Sequence, residues 1–332
     1  MSTSIMAKEA AEAPSIIANQ LVGNLDLCVD LGQQIRDFDP AYVYMVGRGS
    51  SDHAGVFAKY LIEIEANLPV CAAAPSVNSV YGQTLKLDKA LVIVISQSGR
   101  SPDILAQTRA AKASGAFCVA LVNDQTSPLA EIVDFVLPLR ANEEKAVAAT
   151  KSYLATLSAI LQMVACWKQD EKLLTALNDL PAQMQQAAED ATQLTTEFVA
   201  PLKHCVVLGR GFGYAISREI ALKLKEVCSV HAEAFSSAEF LHGPVTLVEK
   251  KLAIVDISVQ DESYASHCEQ IAEVKRRGAT ICSLTHNDKS MHPRVAALAI
   301  LQRFYLDIEK IAVEMGLDPD SPVGLKKVTQ TV

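Results

Sequence analysis

The chain has 332 residues, half of them hydrophobic and 20% charged, the balance of a folded globular protein and not of a disordered or fibrous one. Thirty Lys and Arg against 38 Asp and Glu leave a formal charge of −8, so no basic field draws in a phosphate backbone and nucleic acid is not an expected partner. No stretch approaches the ~18 uninterrupted apolar residues that span a bilayer, and the N-terminus MSTSIMAKEAAEAP lacks a basic region followed by an apolar core, so a cytoplasmic protein without a membrane partner is expected.

Ahead of the first strand, residues 13–38 read as about two short helices within a helical lead-in over 1–40. Tyr42 to Val46 is then a short apolar run ending in Gly47-Arg48-Gly49-Ser50-Ser51. A second run, His204 to Leu208, ends in Gly209-Arg210-Gly211-Phe212-Gly213, 162 residues later. At nearly the same offset Leu91 to Ile95 matches Leu252 to Asp256, and Val119 to Asp124 resembles Cys282 to Asp288. This is an internal duplication of one α/β unit. Continuous apolar runs suit strands buried on both faces of a parallel sheet, with helices expected over 52–66, 102–114 and 128–133. The fold class is α/β: two tandem, doubly wound, three-layer αβα domains of flavodoxin-like type, over 41–145 and 201–317. One large unduplicated α/β domain is the alternative. The linking region, 146–200, reads as a long helix to residue 180 with little polar face, expected to be buried between domains or subunits, and a more exposed helix over 181–199. The tail, 318–332, is punctuated by Pro and Gly; Lys327 would matter there only if the tail folded back over a site.

Eight cysteines (Cys28, Cys71, Cys118, Cys166, Cys205, Cys228, Cys268, Cys282) show no C-x-x-C pair and no zinc spacing. They predict buried free thiols, a reducing compartment and no metal.

The densest chemical signal is Ser96-Gln97-Ser98-Gly99-Arg100-Ser101-Pro102-Asp103, where an apolar strand enters a loop of hydroxyls and an amide. Ser101-Pro102 has the N-cap and N1 signature of a helix start. A helix N-terminus offers unpaired N–H groups and partial positive charge, so a phosphate can collect backbone and Ser donors there. An ordinary serine-capped turn would look alike in isolation. The second copy reads Ile257-Ser-Val-Gln-Asp261 at this place, which predicts one phosphate site per chain, on the first copy. Gly47-Arg-Gly49-Ser-Ser51 lacks the third glycine of a dinucleotide loop, since Asp52 stands there, and no nucleotide cofactor is expected. Ligands lie beyond the carboxyl ends of strands in such sheets, so Ser51 and residues 96–101 should face one crevice. A second dense segment, from Lys223 to Pro244, gathers Lys223, Glu226, His231, Glu233, Glu239 and His242. Lys223 and Glu226 are i, i+3 neighbours on one helix face, placing an acid beside a base; a solvated, salt-bridged helix fits equally. His231 is expected to be structural.

Taken together, Gly49-Ser50-Ser51, Ser96-Gln97-Ser98-Gly99, Val147-Ala-Ala-Thr150-Lys151, Lys223 to Glu226, His231-Ala-Glu233-Ala, His242-Gly243-Pro244 and the Lys327 tail stand in the order of the sugar isomerase (SIS) family. The chain resembles the isomerase half of glucosamine-6-phosphate synthase over nearly its full length. The resemblance implies a homodimer with an active site between subunits and no cofactor. It implies sugar-phosphate binding by Gly49, Ser51, Ser96, Gln97, Ser98, Ser101 and Val147. Glu226 would move a proton between C1 and C2 beside Lys223, His242 would assist ring opening from the partner chain, and Lys327 would engage the open-chain carbonyl. Ser2 stands where the synthase carries its glutaminase cysteine, so amide transfer from glutamine is not expected. The loop Ser98-Gly-Arg100-Ser-Pro-Asp103 is similar to that of stand-alone SIS-type deaminases. Ala149 and Val323-Gly324 depart from the synthase pattern, and either could shift sugar preference. The expected reaction is conversion of glucosamine 6-phosphate and water to fructose 6-phosphate and ammonia. A galactosamine-6-phosphate deaminase or an aldose–ketose phosphosugar isomerase is the alternative, and a non-catalytic sugar-phosphate sensor a more distant one.

Overall fold

The computed structural model describes residues 3–327, which form two compact units. The first comprises residues 15–144 and 151–178. Its strands β1 (Tyr42–Val46), β2 (Val70–Ala72), β3 (Ala90–Ser96), β4 (Phe117–Val122) and β5 (Phe135–Pro138) are all parallel, in the order β2-β1-β3-β4-β5. Every residue of β3 is buried, as a strand covered on both faces requires. The helices are α1 (Ile5–Phe38), α2 (Ser50–Glu65), α3 (Pro75–Ser79), α4 (Pro102–Ala113), α5 (Pro128–Ile132) and α6 (Lys151–Lys168), with α7 (Glu171–Glu189) beginning here.

The second unit takes the chain through Pro14, residues 145–150 and residues 179–327. After α8 (Thr196–Val199), strands β6 (His204–Gly209), β7 (His231–Ser236), β8 (Ala253–Ser258) and β9 (Thr280–Thr285) form a parallel sheet of order β7-β6-β8-β9. Helices α9 (Phe212–Cys228), α10 (Ser237–Phe240), α11 (Tyr264–Arg276) and α12 (Pro293–Glu314) accompany it, with a 3₁₀ helix at Pro244–Lys250. The two sheets are copies in register: Val46 pairs with Val94 and Val43 with Val70, while Leu208 pairs with Asp256 and Cys205 with Ala232, every residue 162 further on. The match extends to one backbone conformation. Gly49 (φ 56°, ψ −128°) and Gly211 (φ 53°, ψ −125°) precede α2 and α9 in a region open only to glycine. Among the described residues, β5 has no counterpart in the second sheet.

Two helical expectations are corrected. The lead-in is one helix of 34 residues with Pro14 inside it. Proline lacks the N–H that Ala10 O would accept, and Gln302 Nε2 of α12 donates to that carbonyl instead, at 2.9 Å. The long helix expected over 146–180 breaks at residues 169–170. Gln169 turns left-handed (φ 55°), and Asp170 Oδ1 accepts the N–H groups of Lys172 and Leu173 at 3.0 and 3.1 Å, an N-cap that starts α7. Pro181 then lies inside α7. Helix α6 is buried from Lys151 to Trp167, and helices of its own unit pack on it. Gln20 donates to Ala155 O (2.9 Å), Gln162 to Leu21 O (2.7 Å), and α2 packs alongside. A Cβ at Gly32 of α1 would lie 2.8 Å from the Cys166 backbone, so this close helix approach requires glycine.

All eight cysteines are free, but Cys71 and Cys268 are exposed and Cys282 half-buried, against the expectation of general burial. Burial pushes the thiols of Cys118, Cys205 and Cys228 up to about 12, which makes them poor nucleophiles. Among the described residues no cluster of His, Cys, Asp and Glu is arranged to hold a metal, and no helix is long and apolar enough to cross a membrane.

Candidate active site

In the first unit β1 and β3 are neighbours, and their carboxyl ends deliver the two loops singled out by sequence to the topological switch point of the sheet. The loop after β3 is built around Ser96, buried, whose Oγ accepts the Gly99 N–H at 3.1 Å. Gly99 has φ +63°, and a Cβ there would lie 2.2 Å from Ser127 Oγ, so the turn closes only with glycine. Ser98 Oγ accepts the Arg100 N–H at 3.4 Å. Ser101 caps α4 by its extended backbone while its hydroxyl makes no capping bond. Ser98 and Ser101 are thus half-buried hydroxyls at a helix N-terminus, and half-buried Ser51 lies in the first turn of α2, beside them in the sheet order. Around Gly49 the space is open: an added Cβ would meet nothing within 4 Å.

Gln97, expected to contact the sugar phosphate, is held by a buried carboxylate. Its Nε2 donates to Glu144 Oε2 at 2.9 Å, and the same buried carboxylate accepts the Ser152 hydroxyl (2.6 Å) and N–H (3.2 Å). Arg48 supplies a link that sequence reading missed: it spans to Asp103, whose carboxylate is fully buried in the first turn of α4, with Nε at 2.8 Å and Nη2 at 2.7 Å. Arg100 pairs with Asp124 at 2.7 Å. Thr126 and Arg100 together hold that exposed carboxyl at about 2.

The second copy differs at the place where sequence reading expected no phosphate site. Asp261 stands where the first copy has Gly99. Its Oδ2 accepts the Phe212 N–H at the start of α9 at 3.4 Å, and it lies 2.8 Å from where a Gly211 Cβ would be. Its Oδ1 takes the N–H and hydroxyl of Ser263. A carboxylate of the chain itself lies at the N-terminus of α9.

The acids and bases gather on α9 in the second unit. Lys223 is fully buried, with Nζ 2.7 Å from Glu226 Oε2 and 3.2 Å from Glu219 Oε1. Burial alone would depress its amine, but the two carboxylates outweigh burial and raise it above its ordinary value, so Lys223 is cationic at neutral pH. Tyr305 OH donates to Glu219 at 3.4 Å. Glu219 was not singled out by sequence, although the spacing Glu219, Lys223, Glu226 is the i, i+4, i+7 signature of one helix face. Glu226 alone of the three reaches solvent. His242 is exposed in the turn after α10 and donates its N–H to Glu239 O at 2.9 Å. His231, expected to be structural, is exposed at the start of β7.

The tail does fold back. Asp320 accepts the N–H groups of Ile5 and Met6 at 2.9 and 2.7 Å, its carbonyl accepts the Val147 N–H at 3.0 Å, and Lys327 Nζ donates to Ala146 O at 2.6 Å. Glu9 receives the N–H groups of Lys145 and Ala146. Val147 and Lys327, far apart in sequence, are therefore brought together in the second unit.

A family model described as the SIS domain matches residues 39–166 and 199–303. Glutamine–fructose-6-phosphate aminotransferase (isomerizing) of a Thermus thermophilus strain is 30% identical over 97% of this chain. The chain spans 58% of that relative's length. A crystal structure from Silicibacter pomeroyi, named as a candidate phosphosugar isomerase, superposes with TM-score 0.91 at 37% identity, covering 96% of this chain and all of that one. The C-terminal domain of glucosamine-fructose-6-phosphate aminotransferase from Francisella tularensis gives TM-score 0.84 at 26% identity, covering 97% and 99% of the two chains.

Proposed function

Because the chain belongs to the SIS domain family, within which its relatives are phosphosugar enzymes, we propose that it is a glucosamine-6-phosphate deaminase, converting glucosamine 6-phosphate and water to fructose 6-phosphate and ammonia. The observation that carries this reading is the buried Lys223 cation between Glu219 and Glu226, with the Glu226 carboxylate reaching solvent. A carboxylate fixed beside a permanent cation suits moving a proton between adjacent carbons of a carbonyl compound.

The phosphate is held by the hydroxyls of Ser51, Ser98 and Ser101 with the N-terminus of α4, while Ser96 and Gln97 shape that loop from behind. His242 transfers the proton that opens the sugar ring. Glu226 takes the C2 proton of the open-chain aldehyde and returns a proton to C1. A positioned acid–base of this kind contributes about 10²–10⁴-fold in rate. Lys223 lowers the energy of the negative charge that develops on the intermediate, and the resulting C2 imine takes up water to release ammonia and leave the ketose. Lys327 engages the open-chain carbonyl by exchanging its bond to Ala146 O.

We further infer a homodimer in the cytoplasm. The outer face of α1 leaves Val22, Leu25 and Val29 exposed in one stripe, which a second copy would cover, and eight free thiols suit a reducing compartment. The second reading, an aldose–ketose phosphosugar isomerase, is favoured by the name of the Silicibacter pomeroyi relative. Ammonia release from glucosamine 6-phosphate, run beside galactosamine 6-phosphate, separates the two. Rapid release from the gluco sugar supports the deaminase, and none from either sugar, with aldose–ketose interconversion of a phosphosugar, supports the isomerase.

A further inference from the structure

The core of the second unit contains a polar chain that the first copy does without. Asp256 on β8 is 3% exposed and His267 on α11 is 2% exposed. His267 Nε2 lies 2.7 Å from Asp256 Oδ1, and His267 Nδ1 lies 2.9 Å from the hydroxyl of Ser237, the first residue of α10. Asp256 Oδ2 also accepts the hydroxyls of Ser258 and Ser283, at 3.1 and 2.8 Å, and Ser237 bonds Gln270.

By the strand register, Asp256 occupies the place of Val94, since Leu208 pairs with Asp256 as Val46 pairs with Val94. His267 is the fourth residue after the N-cap Ser263 of α11, as Leu105 is after the N-cap Ser101 of α4. In the first copy, Val94 belongs to the buried apolar core and the half-buried Leu105 packs against it. The fold therefore closes with an apolar pair at these positions, and burying a carboxylate and an imidazole there brings a desolvation cost that good apolar packing avoids.

What the polar pair adds is a fixed point on α10. Four residues cannot hold a helix by their own hydrogen bonds. Phe240 anchors one side of α10 in the apolar core, and Ser237 is its polar anchor at the other end. Two such points set the direction in which the chain leaves, through Leu241, whose N–H donates to Ala238 O at 3.2 Å, to His242, whose N–H donates to Glu239 O at 2.9 Å.

We infer that His267 is a positioning residue: with Asp256 it holds α10 through Ser237 and so fixes where His242 is presented. This rests on the ring-opening role proposed for His242. The test uses the full chain carrying Asp256→Val together with His267→Leu, which installs the pair of the first copy, and a second variant, Ser237→Ala. Amide hydrogen exchange over residues 237–243 and steady-state ammonia release from glucosamine 6-phosphate are both read. The expected result is a melting temperature no lower than that of the wild type for the double variant. Exchange at Leu241 and His242 should be at least about tenfold faster in both variants, and kcat about tenfold lower with KM within about twofold. Unchanged exchange at 241–242 in a folded variant overturns the anchor. Faster exchange with unchanged kcat overturns the positioning role. If the wild-type protein releases no ammonia, the exchange result still decides the anchor and the failure belongs to the deaminase reading.

Discussion

Arg48 and Asp103 tie together the two loops that flank the switch point of the first sheet, the guanidinium half-exposed and the carboxylate wholly buried. The pair orients the first turn of α4 relative to the loop that starts α2. A hydrogen bond to a charged group is worth about 1.5–3 kcal/mol. Asp103→Ala should lower the urea-unfolding free energy by about that amount and weaken glucosamine 6-phosphate binding in a calorimetric titration.

Gly99→Ala should damage the same loop by a different route. The added methyl meets Ser127 Oγ at 2.2 Å and Val122 Cγ2 at 3.0 Å on a backbone with φ +63°. Left-handed strain and overpacking together should cost about 1–3 kcal/mol of stability. Pairing it with Ser127→Gly should recover the part of the loss due to the Ser127 clash and leave the backbone strain and the Val122 contact, measured by thermal unfolding of both variants.

Lys223→Met and Glu226→Gln should separate stability from chemistry. The first leaves two carboxylates facing a site without a counter-charge and should destabilise by about 3–5 kcal/mol. The second keeps the hydrogen-bonding shape and removes the proposed base, so kcat should fall about 10²–10⁴-fold with unfolding changed by about 1 kcal/mol or less. The folded-state value of the Lys223 amine is raised above its ordinary 10.5. Its contribution to stability is present below that ordinary value and is lost only as pH rises through the raised one. Any inflection of kcat between pH 6 and 9 should therefore persist in Lys223→Arg.

Glu262 gives an acid-side prediction. The hydrogen bonds from Arg294 hold its carboxyl at about 2, against an ordinary 4.5. A depressed carboxylate contributes stability that is present above pH 4.5 and lost as pH falls toward about 2. Glu262 is largely exposed, so the effect is small and screened by salt. Between pH 5 and 3 the melting temperature of the wild type should fall further than that of Arg294→Met, and added salt should narrow the gap.

The duplication, the parallel α/β class and the serine loop at the head of α4 were all legible in the amino-acid sequence. They depend on local properties: apolar runs of strand length, a Ser-Pro helix start, and glycines at turns that admit no Cβ. Lys223 and Glu226 were legible for the same reason, since helix spacing alone brings them together. Tertiary structure decided the partners of the polar groups. Gln97 turned to Glu144, Arg48 to Asp103, Lys327 to Ala146 O and His267 to Asp256, each across more than ten residues of chain. It also decided that Pro14 leaves α1 unbroken, because only the packed helix brings Gln302 to the unpaired Ala10 carbonyl. A buried donor or acceptor must be satisfied by whatever segment the fold lays opposite it. That segment is set by the closing of the sheet and not by the neighbours along the chain.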